Sequence, residues 1–310
     1  MLNAKVRNDT VAVRTSVEPP SVVTFHASRI TLRFICLRYA LHMRKRSQLP
    51  IALTIAGSDS GGGAGIQADL RTFASLDVHG TSAITCLTAQ NPRSVRGIWP
   101  APPEMVRKQI EAVFAELPPA AVKTGMLYSA QIIREVVKFF SHGKRPPLVV
   151  DPVMVATSGA RLLKPEALDL LKKELLPMAT LVTPNLAEAE ILVGSSLRSP
   201  EDVRGAATEI HARYKCAALI KGGHLKGLDQ AIDIFYDGEE ELLLSAPFIK
   251  GIHPHGTGCT CSAAIAGYLA RKQPLPRAVV LAKDCISNAI ARGNMAGRHF
   301  VLNTFSKKVA

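Results

Sequence analysis

The chain has no CxxC pair and no regular cysteine spacing; its six cysteines, Cys36, Cys86, Cys216, Cys259, Cys261 and Cys285, are scattered through 310 residues. A disulfide scaffold and the common zinc-ribbon spacings are therefore excluded, and a reducing cytoplasm is the expected setting. No apolar run approaches the roughly 18 residues of a membrane span. The stretch from Ile30 to Met43 is broken by Arg33, Arg38 and His42, so it fits neither a span nor a secretory segment. No membrane partner is expected. Internal repeats and low-complexity linkers are also missing between residues 50 and 300.

Acidic residues are in short supply, 25 Asp and Glu against 38 Lys and Arg, for a net charge of +13. The imbalance is uneven. Residues 1–46 hold nine basic side chains (Lys5, Arg7, Arg14, Arg29, Arg33, Arg38, Arg44, Lys45, Arg46) against Asp9 and Glu18, net +7, which leaves +6 for the rest. That remainder suits a protein handling phosphates and lacks the basic and aromatic interleaving of a nucleic-acid surface, so no nucleic-acid partner is expected. The basic segment 1–46 reads as a disordered leader, either a transit peptide or an upstream extension before a start at Met43. The extension is favoured because the segment lacks an amphipathic period.

What is present from Pro50 onward is an alternation of short apolar runs and helical stripes. The runs Ile51–Ala56, Thr81–Leu87, Ala120–Lys123, Leu148–Asp151, Thr180–Thr183 and Ala217–Lys221 read as strands covered on both faces. Between them Ile66, Leu70, Phe73 and Ala74, then Val106, Ile110, Val113, Phe114 and Leu117, fall at helical spacing, as do two later sets, 132–140 and 203–214. The runs Ala231–Tyr236 and Glu241–Leu244, separated by Asp237-Gly238-Glu239-Glu240, read as an antiparallel hairpin. Cys259–Ala270 and Ala278–Ala291 read as helices, the first buried nearly all round. The expectation is a three-layer α/β/α domain over 47–310 with a mainly parallel central sheet.

The strongest chemical signal is His255-Gly256-Thr257-Gly258-Cys259-Thr260, directly before the Ala-rich helix. Two glycines admit a ligand to the backbone, and the free N–H groups of the first helical turn suit a transferring phosphoryl group. Cys259 at that helix start is a candidate general base, its thiol expected below the free value of about 8.5. The plainer alternative is a tight loop followed by a small buried cysteine.

Gly57-Ser58-Asp59-Ser60-Gly61-Gly62-Gly63-Ala64-Gly65 follows the first strand; it is not a Walker A loop, since no Gly-Lys-Ser/Thr ends it. A dinucleotide fingerprint needs an acid near the end of the second strand, where Thr88-Ala89-Gln90 stands instead. Asp151 and Glu188 sit at or beyond strand ends that line the crevice of a parallel sheet, where hard oxygens suit Mg²⁺. Asn185 and Glu188 also fit a helix-capping box that needs no metal. In Lys221-Gly222-Gly223-His224 a lysine can meet nucleotide phosphates, or simply end a strand in solvent.

Taken together these stretches resemble the hydroxymethylpyrimidine/phosphomethylpyrimidine kinases of thiamine synthesis, members of the ribokinase-like superfamily. The likeness runs from about Pro50 to about Asn294. It rests on Ala52 to Asp69, Thr88-Ala89-Gln90-Asn91, Lys123-Thr124-Gly125-Met126-Leu127, Asp151-Pro152-Val153-Met154, Thr183-Pro184-Asn185, Lys221 to His224 and His255 to Thr260. The resemblance implies an ATP-dependent kinase of a hydroxymethylpyrimidine and its monophosphate, with Mg²⁺ as cofactor and a homodimeric state. It implies a pyrimidine pocket at Ala64, Thr88, Gln90, Met126 and Val153, an anion hole at Gly256, Thr257 and Gly258, and Cys259 as base. Mg-ATP would fall to Asp151, Asn185, Glu188, Lys221 and Gly223, and Lys221 or Lys283 would favour a charged acceptor. The chain departs from fused relatives of that family, since no second, phosphate-synthase domain is expected in the few residues after Asn294. Pyridoxal kinases share the cysteine and are the rival of the same class. A NAD-binding oxidoreductase and a non-catalytic binding protein are rivals from other classes.

Overall fold

The computed structural model describes residues 6–7, 10–11, 48–143, 145–155, 162–223, 225, 229–247 and 255–305. The chain divides into two compact units, Met1–Gln48 and Leu49–Ala310. In the first, β1 (Val6–Arg7) and β2 (Thr10–Val11) pair antiparallel. The remainder of the expected leader lies outside the described residues, as does His224.

The second unit is built on a nine-stranded sheet, ordered β11-β10-β9-β8-β7-β6-β3-β4-β5. Its strands are β3 (Ile51–Asp59), β4 (His79–Asn91), β5 (Ser94–Pro100), β6 (Ala121–Thr124), β7 (Leu148–Val150), β8 (Leu181–Val182), β9 (Ala217–Lys221), β10 (Gln230–Tyr236) and β11 (Glu241–Pro247). From β9 to β4 all neighbours are parallel; β5 at one edge and the β10–β11 hairpin at the other are antiparallel. A small ribbon, β12 (Asn294–Ala296) with β13 (His299–Val301), follows.

Among the described residues, eight α-helices flank the sheet: α1 (Gly65–Ser75), α2 (Pro103–Glu116), α3 (Ala130–Phe140), α4 (Pro165–Leu170), α5 (Leu186–Val193), α6 (Pro200–Tyr214), α7 (Thr257–Ala270) and α8 (Leu275–Ala291). Alternation along the strands feeds two cores. Leu53, Ile55, Val122, Leu148, Val150 and Val182 pack with Val106, Ile133, Leu192 and Ile210 from α2, α3, α5 and α6. Their neighbours Ala52, Ala121, Val149, Leu181 and Leu219 face the other way, onto Phe73 of α1, Ala263 and Ala266 of α7, and Ala282 of α8. The small residues of α7 let it lie close to the sheet, which sets the depth of the loop at its N-terminus.

Two differences from the expected strands bear on the site. β4 runs on to Asn91, and an unforeseen strand β5 pairs with it, Leu87 opposite Trp99 and Thr88 opposite Ile98. Thr88, Ala89 and Gln90 therefore stand on a hairpin rather than beyond a strand end, with a register shift between Ala89 and Gln90.

Candidate active site

The parallel strands all end at one edge, and the candidate residues gather there. Asp151 immediately follows β7, Asn185 follows β8 and Lys221 ends β9. Lys221 Nζ lies 3.0 Å from Asp151 Oδ1. Asp151 Oδ2 accepts from Ser262 Oγ at 3.1 Å, and Thr183 Oγ1 donates to Oδ1 at 3.3 Å. Burial works against the ionised form of Asp151, yet the Lys221 and Lys123 ammoniums and the bonds from Lys221 and Ser262 hold it below its ordinary value. Lys221 loses by burial but gains more from Asp151 and Glu188, which keep it protonated.

The start of α7 lies beside this pair. Gly256 has φ +84° and caps the helix, and Thr260 N donates to Gly256 O at 2.9 Å. A Cβ at Gly256 would stand 1.8 Å from Gly63 O, so the two glycine-bearing loops touch through backbone. A Cβ on Gly258 would meet Lys221 Nζ at 3.1 Å, which places that ammonium directly beside the helix start. Ser262 Oγ, one turn on, also lies 3.0 and 3.1 Å from Gly258 O and Cys259 O, which compete with Asp151 for its single hydrogen.

Cys259 does not behave as the helix position alone predicts. The residue is partly exposed, but its thiol is densely surrounded, and burial pushes it up to about 11. Lys123 and a bond from the Gly65 N–H oppose that shift, while Asp151 and Asp69 add to it. Desolvation outweighs the helix dipole here, and the resting group is a thiol.

Glu188 completes the capping box of α5. Its Oε2 accepts from Asn185 N at 2.9 Å, Asn185 Oδ1 accepts from Glu188 N at 2.9 Å, and Oε1 accepts from Met154 N at 3.3 Å. Burial pushes the Glu188 carboxyl up to about 7, with Lys221 opposing and Asp151 adding to the shift. Among the described residues no three His, Cys, Asp or Glu side chains form a metal cluster. The donors at this edge are two carboxylates whose oxygens are already engaged. That set suits a hydrated Mg²⁺ carried with phosphate oxygens rather than a closed protein cage. Gly223 lies at the turn after β9, where an added Cβ would meet nothing closer than Ala231 Cβ at 3.8 Å.

The expected pocket residues split into two neighbouring groups. Met126 and Val153 share an apolar cluster with Cys86, Leu162, Ile98 and Tyr128. Ala64, Thr88 and Gln90 surround the glycine-rich loop: Ala64 N donates to Asp59 Oδ2 at 2.8 Å, Thr88 Oγ1 donates to Ser58 O at 2.8 Å, and Gln90 N donates to Ser60 Oγ at 2.8 Å. Gly57 joins the groups, since a Cβ there would lie 2.8 Å from Cys86 Sγ and 3.4 Å from Met126 Sδ.

Lys283 is already paired with a buried acid. It is tied to Asp233 Oδ2 at 2.7 Å and Ala231 O at 3.2 Å, while Asp233 Oδ1 accepts from Gly222 N. It braces the turn after β9 instead. Sequence reasoning passed over Ser262, and it named Asp59, Asp69, Lys123 and His255 only within motifs, with no role of their own. Ser262 had one readable signal, its place one turn beyond Gly258 on the same helix face.

A family profile described as phosphomethylpyrimidine kinase matches residues 59–303. The hydroxymethylpyrimidine/phosphomethylpyrimidine kinase of Streptomyces coelicolor is 48% identical over 244 residues, covering 79% of this chain and 90% of that protein. The thiamine biosynthesis bifunctional protein of Geobacter sulfurreducens is 46% identical over 84% of this chain, which spans only 53% of its length. Among solved structures, an ADP complex of Bacillus subtilis pyridoxal kinase superposes with a TM-score of 0.77 at 36% identity, covering 83% of this chain and 98% of that one. The chain belongs to the phosphomethylpyrimidine kinase family, phosphotransferases of the ribokinase-like fold.

Proposed function

We propose that this enzyme transfers the γ-phosphoryl group of ATP to the hydroxymethyl oxygen of 4-amino-5-hydroxymethyl-2-methylpyrimidine, and in a second turnover to the phosphate of the resulting monophosphate. The observation that carries the reading is the convergence of Lys221, Asp151 and Ser262 under the Gly256–Cys259 helix start, with Lys221 Nζ 3.0 Å from Asp151 and beside Gly258. Mg²⁺, served by Asp151 and Glu188 through its waters, would supply charge neutralisation on the nucleotide phosphates.

The protein's own groups do the rest. Asn185, Lys221 and Gly223 take the nucleotide, Lys221 as a point charge on its phosphates and Gly223 by leaving room at the backbone. The N–H groups of Gly256, Thr257 and Gly258 meet the migrating phosphoryl oxygens where their charge builds, with no reorganisation at that moment. In the first turnover, Cys259, having first lost its own proton to solvent, accepts as thiolate the proton of the hydroxymethyl group while oxygen bonds to phosphorus and ADP leaves with the electron pair of the broken P–O bond. Lys123 and the Gly65 N–H are the groups that favour this thiolate. Met126 and Val153 wall the heterocycle, and Gln90 offers its edge a donor and an acceptor.

Incubating purified protein with ATP and each acceptor, with product measured by mass, tests the reading. Turnover of the pyrimidine and loss of most of it in Cys259→Ala, with ATP still raising the melting temperature, is expected. The likeness to a pyridoxal kinase favours pyridoxal as the competing acceptor; exclusive turnover of pyridoxal would give the site to that substrate. A cytoplasmic homodimer belongs to the same reading. No described helix is long and apolar enough to cross a membrane. The cross-strand pair Leu87 and Trp99, 55% and 76% exposed, offers apolar surface for a second copy. Sedimentation of the protein as a monomer alone would remove the dimer.

A further inference from the structure

His255 is the side chain at which the three parts of the site meet. Its Nε2 lies 3.1 Å from Asp59 Oδ2 and 3.3 Å from Gln90 Nε2. The ring is packed so closely that a Cβ on Gly63 would stand 2.5 Å from its Cδ2. Asp59 is itself fixed, accepting backbone N–H bonds from Gly61, Gly63 and Ala64; burial works against its ionised form, but the His255 bond and those from Ala64 and Gly61 outweigh it and hold the carboxyl below its ordinary value. Gly256, the next residue in the chain, begins the anion loop.

Counting hydrogens constrains this cluster. An ionised carboxylate only accepts, so the hydrogen between His255 and Asp59 belongs to Nε2. A nitrogen bearing that hydrogen cannot also accept from the Gln90 amide nitrogen. The other end of the amide has the mirror problem. Thr88 has one hydroxyl hydrogen, which Ser58 O takes at 2.8 Å, so Thr88 Oγ1 has only lone pairs left for Gln90 Oε1 at 3.2 Å. Turning the amide about removes both mismatches: its oxygen then shares the Nε2 hydrogen with Asp59 in a three-centre bond, and its nitrogen donates to Thr88. His255 Nδ1 is buried without a partner among the described residues. That suits a lone pair there better than a hydrogen, since a buried unpaired donor is the rarer occurrence.

We propose that His255, anchored by Asp59 with its hydrogen on Nε2, sets the orientation of the Gln90 amide and thereby decides which edge of a nitrogen-heterocycle acceptor the site recognises. His255 is a positioning residue acting through Gln90. In the turned amide one N–H of Gln90 and one lone pair of its oxygen stay free, side by side, the complement of an amino group next to a ring nitrogen. The proposal rests on the kinase reading, and it ties acceptor recognition to the anion loop through a single residue that belongs to that loop's turn.

Steady-state kinetics at saturating ATP test it. His255→Asn, whose amide is too short to reach the Nε2 position, should raise the acceptor KM about tenfold, the loss of one well-placed hydrogen bond. The KM for ATP should stay within about twofold of wild type. His255→Gln puts an amide nitrogen near the Nε2 position and should recover most of the loss, a rescue that a packing role would not give. In a Gln90→Ala background His255→Asn should add nothing to the acceptor KM. An unchanged acceptor KM in folded His255→Asn, or a full further effect in that background, would overturn the proposal. Should the variants fail to fold, NMR of the imidazole nitrogens in the wild-type protein still decides. A hydrogen on Nε2 that responds to added pyrimidine supports the proposal, and a hydrogen on Nδ1 with Nε2 bare overturns it. Failure of the wild type to phosphorylate any hydroxymethyl heterocycle would instead sink the kinase reading, with the tautomer still measurable.

Discussion

Two lysine–carboxylate pairs lie at the carboxyl edge of the same sheet, and they are built for different ends. Lys123 on β6 and Asp69 on α1 are wholly excluded from solvent, joined at 2.8 and 2.9 Å, with Thr54 donating to Asp69 at 2.6 Å. Lys221 and Asp151 meet at 3.0 Å, but the Lys221 side chain is 16% exposed and lies beside Gly258. In the sealed pair, burial pushes Asp69 up and Lys123 pulls it back, so each charge depends on the other. The open pair keeps access to solvent, from which a ligand can take over part of the pairing. Exposure, rather than bond length, separates the brace from the proposed binding site.

Cutting each pair at its lysine gives the sharpest contrast. Lys123→Met leaves a buried carboxylate without a counter-charge, Thr54 its remaining partner, and should cost about 3–5 kcal/mol in urea unfolding, most of it recovered by adding Asp69→Leu. Lys221→Met should cost less, about 1–2 kcal/mol, because Ser262 and Thr183 still bond Asp151, yet it should lose most turnover. Equal unfolding midpoints for the two variants would break the distinction.

A smaller effect tests the neighbour of the open pair. Glu188 is raised from an ordinary 4.5 to about 7 by burial. The folded chain thus holds that proton more tightly than the unfolded chain. The stabilisation it contributes is complete below pH 4.5 and disappears as pH rises through about 7. Melting temperatures in chelator should show that fall in the difference between wild type and Glu188→Gln, by a few kcal/mol at most. A difference flat across that window would mean the carboxyl is not desolvated as its burial requires.

How much of this was legible before folding differs by element. The buried parallel strands announced themselves because both faces are covered, leaving runs such as Leu148–Val150 without a polar residue. β5 stayed hidden because Ser94–Pro100 has no buried residue to give it a period, and Gly97 and Pro100 read as breakers. At the site, motifs that are contiguous in the chain, such as Gly256–Cys259, could be read locally. The contacts that join Ser262 to Asp151 and His255 to Asp59 span 111 and 196 residues, and no local pattern encodes them. The direction of the Cys259 shift was missed for the same reason: a helix start is visible in sequence, but the desolvation that overrides it comes from the fold.

The smallest predicted change lies where the open pair touches the anion loop. Gly258 sits in the first turn of α7, where alanine is the better helix former by about 1 kcal/mol. A methyl at that place meets only Lys221 Nζ, at 3.1 Å, and the end of a lysine can yield by a few tenths of an ångström. Gly258→Ala should therefore leave the unfolding midpoint unchanged or slightly raised, within about 1 kcal/mol. Turnover should still fall, about tenfold, because the ammonium is pushed from the place where it meets both Asp151 and the phosphate. The same substitution can thus improve the fold and damage the chemistry, the signature of a glycine retained for the room it leaves a charge. A variant as active as wild type would show that Lys221 has no need of that room, and the open pair would then be a second brace like the first.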